Sequence, residues 1–301
     1  MPELPDVTIY VEALRERVID RIIRRVQIVS PFVLRSADPP IESVEQQRVR
    51  EVGRRGKRIV LALDDELFVI IHLMIAGRFR WLKLGARPPG RIGLATLEFE
   101  NGTLALTEAG PKKRASLHVV RGIAALAAHD PGGLDVLAVD PETFAAVLRS
   151  ENHTLKRALT DPRLFSGIGN AYSDEILHAA QLSPITLSQR LTVEEASRLH
   201  RATRHTLTDW TDRLRRQFAG KFPGPGEITA FRPDFAVHGR FGLPCPTCGT
   251  KVQRIRYAES ETNYCPKCQT AGRILADRSL SRLLRDDWPR TVDELESGSV
   301  G

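Results

Sequence analysis

The alternation of apolar and polar positions changes period along this chain, and each change marks an element. Between about Pro5 and Asp20, Val7, Tyr10, Val11, Leu14 and Val18 recur at the three- and four-residue spacing of an amphipathic helix. Pro5 suits the first turn of such a helix, and Asp6 complements its dipole. Short apolar runs follow at Arg25–Val29, Ile59–Leu63, Leu67–Leu73, Phe79–Leu84, Ala95–Phe99, Thr103–Thr107 and Leu117–Val120. Asp64-Asp65 and Asn101-Gly102 stand between runs as turn signals, so residues 1–133 predict a leading helix on an antiparallel β-sandwich or barrel. Residues 134–222 return to the helical period. There Asp140-Pro141-Glu142 caps one helix and Thr192-Val193-Glu194-Glu195 forms a capping box for a long one. Gly167-Ile168-Gly169-Asn170 interrupts the pattern, with the next helix expected near Ala171. Phe222 to Gly226 reads as a Pro/Gly-rich linker into a small module over 223–272, and residues 273–301 form a tail. The predicted class is a multidomain α+β protein.

With 301 residues the chain can bury its cores without disulfide staples. An apolar content of 42% and a charged content of 27% exclude bulk disorder. Lys plus Arg number 44 against 37 Asp plus Glu, a net charge of +7. The tail holds five basic and six acidic residues, so the basic excess lies before it and suits a polyanion such as nucleic acid. The most apolar stretch, Phe68 to Ala76, is interrupted by His72 and falls short of the roughly 18 to 20 residues of a membrane span. Met1-Pro2-Glu3-Leu4-Pro5-Asp6 lacks the basic and apolar regions of an export signal. A cytoplasmic protein with no membrane partner is expected.

All four cysteines, Cys245, Cys248, Cys265 and Cys268, fall within 24 residues as two C-x2-C pairs separated by sixteen. This spacing is a four-thiolate zinc pattern, because each pair turns two sulfurs toward one tetrahedral ion. Lys251 to Tyr257 alternates as a strand does, which predicts a zinc-pinned hairpin. Four thiolates leave no open coordination position, so one Zn2+ of structural role is expected. Two disulfides are the alternative, disfavoured where no export signal is seen.

Three motifs carry a resemblance. Met1-Pro2-Glu3-Leu4-Pro5-Asp6-Val7, together with Lys57 in Gly56-Lys57-Arg58, resembles formamidopyrimidine-DNA glycosylase and its relative endonuclease VIII. Leu159-Thr160-Asp161 followed by Ser166-Gly167-Ile168-Gly169-Asn170-Ala171-Tyr172-Ser173-Asp174-Glu175 is similar to that family's helix–two-turn–helix. Val237-His238-Gly239-Arg240 before the cysteines is similar to its zinc-finger lead-in. The resemblance implies a bacterial-type, monomeric base-excision-repair enzyme, both a DNA glycosylase and an abasic-site lyase. Its partner would be double-stranded DNA with damaged bases or abasic sites. Pro2, Glu3 and Lys57 match catalytic positions, and Lys57 and Asn170 match phosphate contacts. Lys112, Arg114, Lys156 and Arg254 are further candidate DNA contacts, and Met74 or Ile75 is the candidate plug for the gap left by an extruded base. A strand residue in the core is the plainer reading of Met74.

The terminal chemistry also follows from the residues. Removing Met1, which a residue as small as Pro2 permits, leaves a secondary amine. Attack on an aldehyde carbon gives an iminium, cationic without a proton and therefore an electron sink for elimination. An α-amino group titrates near 7.7 to 8.0, and the positive end of a helix beginning near Pro5 lowers it. Glu3 beside it is a natural proton shuttle.

The chain departs from the family at several positions. Asp6 stands where the family has Glu. Glu108-Ala109-Gly110-Pro111-Lys112-Lys113-Arg114 replaces the purine-specific members' Asp-Pro-Arg-Arg-Phe loop. Ser260 occupies the place of the hairpin arginine, leaving Arg254 or Arg256 to substitute and δ-elimination expected to be weaker. A damaged-DNA-binding relative with weak or no glycosylase activity is the alternative. A zinc-finger transcription regulator would share the charge and the metal, but it gives Pro2-Glu3 no role.

Overall fold

The computed structural model describes residues 1–87, 89–257, 260–276 and 289–297. Packing divides the chain into two compact units, 1–131 with 208–230 and 132–207 with 231–301. This partition cuts across the four motif-based segments, because Leu214, Phe218 and Ile228 are buried in the first unit's core.

The first unit starts with α1 (Leu4–Val18). It continues through β1 (Arg25–Ile28), β2 (Val49–Arg55), β3 (Arg58–Leu63), β4 (Leu67–His72), β5 (Gly77–Leu82), β6 (Gly93–Phe99), β7 (Gly102–Glu108), β8 (Ser116–Arg121) and the short α2 (Ile123–Ala127). The strands form two four-stranded antiparallel sheets, β1-β6-β7-β5 and β2-β3-β4-β8. Val7, Tyr10, Leu14 and Val18, the periodic face of α1, join the core with the inward residues of both sheets. Strand β4 is buried on both faces. Leu67, Val69 and Ile71 enter the main core, whereas Phe68 and Ile70 pack with Val60, Val120 and Leu126 of α2. An unbroken apolar run is the pattern such a strand requires.

Strand β2 has no counterpart among the expected apolar runs. A register shift between Val49 and Glu51 breaks its alternation, so the buried Val49 and Val52 stand three apart among charged residues. The expected linker is also different in the structure. Phe222 lies 5.9 Å from the Tyr10 ring and 6.1 Å from Trp81, and Pro223 and Ile228 are buried. Apolar side chains around the Pro/Gly run anchor it to the first unit.

The second unit contains α3 (Pro141–Ser150), α4 (Leu155–Thr160), α5 (Asn170–Ala179) and the first part of α6 (Val193–Phe218). The expected caps form. Thr143 N donates to Asp140 at 2.7 Å, while Thr192 and Glu195 exchange bonds at 3.0 and 3.2 Å. The hairpin β9 (Gln253–Tyr257) and β10 (Ser260–Tyr264) and the short helix α7 (Pro266–Thr270) complete the cysteine module. Part of the expected tail returns to this module. Ile274 N donates to Arg290 O at 2.8 Å and Val292 N to Gly272 O at 3.0 Å, before α8 (Val292–Ser297). Residues 277–288 and 298–301 of that tail lie outside the described residues. No helix among the described residues is long and apolar enough to cross a membrane.

Between β4 and β5 the chain turns tightly through Met74, whose φ is 52°, and Gly77 N closes the turn on Leu73 O at 2.9 Å. A Cβ at Gly77 would lie 2.2 Å from Leu73 O. Gly77→Ala should therefore force the turn open and cost about 1–3 kcal/mol, read as a lower urea midpoint. An unchanged midpoint would contradict the close approach.

Candidate active site and metal centre

The first cluster of functional side chains sits at the start of α1. Glu3 is its N-cap, and Glu3 and Asp6 form a reciprocal capping box in which Glu3 N donates to Asp6 Oδ2 at 3.0 Å. Both carboxylates are only 2% exposed and Pro2 is buried beside them. Satisfying helix-start N–H groups in this way gives two buried acidic residues hydrogen-bond partners.

Lys57 reaches the same place from a different element. Arg55 pairs with Arg58 across β2 and β3, so Gly56-Lys57 is a two-residue hairpin turn, with Gly56 at φ 58°. Burial pushes the Lys57 ammonium pKa down, and the Glu3 carboxylate partly restores it. The terminal amine of Met1 is likewise lowered, first by burial and then by the Arg78 and Lys57 cations, against Glu3 and Asp6, which raise it. The four side chains therefore share one electrostatic environment with the chain terminus. Arg78 was not singled out in the sequence. Its Nε donates to Ile228 O at 2.6 Å and its Nη1 to Gly77 O at 2.7 Å and Ile75 O at 3.2 Å, which also braces the Met74 turn. His72, opposite Arg58 in the sheet, has its pKa depressed to about 4 by burial and then by Arg58, Lys57 and His118, so it is neutral at pH 7.

Met74 is half-buried on this turn and Ile75 is 52% exposed, so the core-strand reading of Met74 is not the one found. The loop bearing Lys112 and Arg114 is tied down by Glu108. Its buried carboxylate accepts Arg114 N at 2.8 Å and Ala115 N at 3.0 Å, and its carbonyl accepts Lys113 Nζ.

The second unit builds around two buried acids on α5. Asp174 accepts Lys156 Nζ at 2.5 Å and Asn263 N at 3.1 Å, and faces His238 Nδ1 at 2.7 Å. Glu175 accepts the backbone N–H groups of Ala236, Val237 and His238 at 2.7 to 2.9 Å. Burial pushes the Glu175 pKa up, and those three donors pull it back. Lys156, expected as a DNA contact, has only 13% of its side chain exposed, and its ammonium is held by Asp174 and by Asn170 O at 2.6 Å. Asn170 opens α5, and its Nδ2 donates to Glu261 O on the hairpin at 2.9 Å. Arg254 Nη1 and Arg256 Nε both approach Glu261 Oε2 at 3.3 Å.

The four cysteine sulfurs are separate thiols lying within 4.8 Å of one another. The Cys245–Cys268 and Cys248–Cys265 separations are 4.0 and 3.4 Å. Tetrahedral Zn–S bonds of about 2.3 Å require sulfurs about 3.8 Å apart, so the donor set fits one zinc. Two disulfides are not the arrangement found. Gly249, at φ 78°, makes the first knuckle, with its N donating to Cys245 O at 2.9 Å. His178 Nε2 lies 3.3 Å from Cys245 Sγ, and burial lowers its pKa, favouring a neutral ring that can donate to a thiolate. Glu151, His153 and Asp161 also gather, but Arg163 pairs with Asp161 at 2.7 Å and approaches Glu151 at 3.8 Å.

Three family models match the chain. They are the formamidopyrimidine-DNA glycosylase N-terminal domain over residues 1–126, its H2TH domain over 133–212, and a zinc finger found in FPG and IleRS over 242–271. A formamidopyrimidine-DNA glycosylase of Thermus thermophilus is 36% identical over 285 residues, covering 90% of this chain and all of that one. One from Desulforamulus reducens is 31% identical over 277 residues, again over 90% of this chain and the whole relative. The crystal structure of the MutM (Fpg) protein from Thermus thermophilus aligns with a TM-score of 0.74 at 33% identity, covering 89% of this chain and 98% of that one. A Lactococcus lactis Fpg in complex with abasic-site DNA shares the fold, with a TM-score of 0.78 at 23% identity over 89% of this chain and 99% of that one.

Zinc binding supplies much of the folding free energy of a small metal module. Cys248→Ser should release the metal and collapse the β9–β10 hairpin, with near-complete loss of stoichiometric zinc by elemental analysis. Retention of one zinc per chain in that variant would contradict the four-thiolate site.

Proposed function

The chain belongs to the formamidopyrimidine-DNA glycosylase family, and on that premise we propose that it excises oxidised bases from duplex DNA and nicks the strand at the resulting abasic site. The observation that carries this reading is the buried helix start where Pro2, Glu3 and Asp6 meet Lys57 and Arg78 in one electrostatic environment. In the mature chain Met1 is gone and the Pro2 nitrogen is a free secondary amine. Burial and the Arg78 and Lys57 cations lower the pKa of the Met1 amine in the full chain, and the same surroundings favour the neutral, nucleophilic form of the proline nitrogen.

The Pro2 lone pair attacks C1′ as the glycosidic bond breaks, and the base leaves with the bonding pair and takes up a proton. Glu3 delivers a proton to the sugar ring oxygen as its bond to C1′ opens. The nitrogen loses its own proton, and an iminium joins enzyme and sugar. That cation makes the C2′ hydrogen acidic. Loss of this proton sends its electron pair into a C1′–C2′–C3′ system and expels the 3′-phosphate. Lys57, whose proton is made easier to give by burial, binds phosphate and supplies protons beside Glu3. The zinc, where bound, stabilises the hairpin and takes no part in these steps.

Met74 or Ile75, on a turn outside the core, fills the space of the extruded base. Lys112 and Arg114 meet DNA from the loop anchored by Glu108, while Asn170 and the hairpin arginines Arg254 and Arg256 contact phosphate. Phosphate contacts set register and carry no base identity. The protein acts as a monomer in the cytoplasm on damaged double-stranded DNA.

Borohydride should trap a covalent complex between the mature protein and abasic DNA. Pro2→Gly, or a form that keeps Met1, should lose most of the trapped product. The trapping rate should rise with pH as the amine deprotonates and level off below the usual α-amino range of about 7.7 to 8.0. Lys57→Ala removes a cation that disfavours the ammonium form, so it should raise the amine pKa and move that rise to higher pH. Undiminished trapping in the Met1-retaining form would refute the terminal nucleophile.

A further inference from the structure

We propose that Glu261 is an internal stand-in for a DNA phosphate. In the free protein its carboxylate occupies the anion position of the hairpin arginines, and a phosphodiester must displace it to bind there. The proposal rests on the reading that Arg254, Arg256 and Asn170 form a phosphate contact.

The hairpin register puts the groups together. Glu261 pairs directly with Arg256, and Asn263 pairs with Arg254. With a two-residue side-chain period, Arg254, Arg256, Glu261 and Asn263 share one face of the two strands. Asn263 is buried against Asp174, so this face is the one turned toward the start of α5. There the Asn170 amide donates to the Glu261 carbonyl at 2.9 Å. One oxygen of the Glu261 carboxylate lies 3.3 Å from a guanidinium nitrogen of each arginine. The Phe241 ring backs the Arg254 guanidinium, 4.1 Å from ring centroid to carbon, and fixes its plane. A single anionic oxygen between two guanidinium groups is the arrangement a non-bridging phosphate oxygen takes.

The contact is made to be exchanged. Glu261 and Arg254 side chains are 28% and 29% exposed and Arg256 is 61% exposed, so DNA can reach all three. Distances of 3.3 Å exceed the roughly 2.7–2.9 Å of tight charge-assisted bonds, and exposed pairs of this kind contribute little to stability. The pair of arginines with Glu261 carries a net charge of +1, where the arginines alone would carry +2. Glu261 therefore lowers the affinity of this hairpin for any duplex that does not make the remaining contacts.

The test is fluorescence anisotropy with a tetrahydrofuran-containing duplex and an undamaged duplex at four or more salt concentrations, with zinc content measured for every variant. Glu261→Gln should bind both duplexes about three- to tenfold more tightly. Its log affinity against log salt should steepen by up to about one unit. Glu261→Ala, which keeps the carbonyl that Asn170 uses, should behave the same way and stands in if the glutamine variant loses zinc. In an Arg254→Ala/Arg256→Ala background neither change should improve binding. An equal gain there would mean generic removal of negative charge and would overturn the proposal, as would unchanged or weaker binding of Glu261→Gln alone. If the double arginine variant binds like the parent, the phosphate reading of the hairpin fails, whatever Glu261 does.

Discussion

The first four N–H groups of a helix have no partner within it, and this chain meets that constraint at its own terminus. Glu3 and Asp6 satisfy each other's ends of the first turn of α1, which allows both carboxylates and Pro2 to be buried. Burial, with the Arg78 and Lys57 cations, lowers the pKa of the chain-terminal amine beside Pro2, against Glu3 and Asp6. The rest of the first unit serves this arrangement. The apolar face of α1 docks on the sheets, and the β2–β3 hairpin carries Lys57 to the same spot without placing it on a floppy loop.

The second unit is organised by two further carboxylates taken out of water, Asp174 and Glu175. An unpartnered buried charge is costly, so Asp174 and Glu175 must be fully engaged. Asp174 gathers Lys156, His238 and the hairpin residue Asn263. Glu175 captures consecutive backbone N–H groups of the zinc-finger lead-in. One helical turn thereby fixes the start of α5, the lead-in and the hairpin relative to each other. The zinc then closes a module whose approach is already set. Two of the three motifs that carry the family resemblance are thus, at atomic level, the two sides of one hydrogen-bonded joint.

What the sequence revealed depended on how local the cause was. The cysteine spacing determines a tetrahedral site by short-range geometry alone, and the α1 period determines a buried face, so both were legible. Strand β2 was not, because a bulge removes the alternation by which strands are recognised. Phe222 looked like linker because its burial depends on Tyr10 and Trp81, far away in sequence. The sequence singles out Lys156 as a candidate DNA contact but gives no sign of its partner, a buried aspartate eighteen residues on. Family resemblance singles out Pro2, Glu3 and Lys57, and the fold brings Glu3 and Lys57 into one electrostatic environment. Arg78 and Glu261 had no such signal, since strand charges alternate on any solvated sheet; Arg78 gains a partner 150 residues away, and Glu261's depend on the hairpin register.

The central claim is that the reactive nitrogen is that of Pro2. Reduce the complex of the mature protein with abasic DNA, digest it with nuclease and protease, and locate the sugar remnant by tandem mass spectrometry. The account predicts the added mass on the N-terminal peptide, at the proline nitrogen. A remnant on Lys57 or any other lysine, with an unmodified N-terminal peptide, would contradict it.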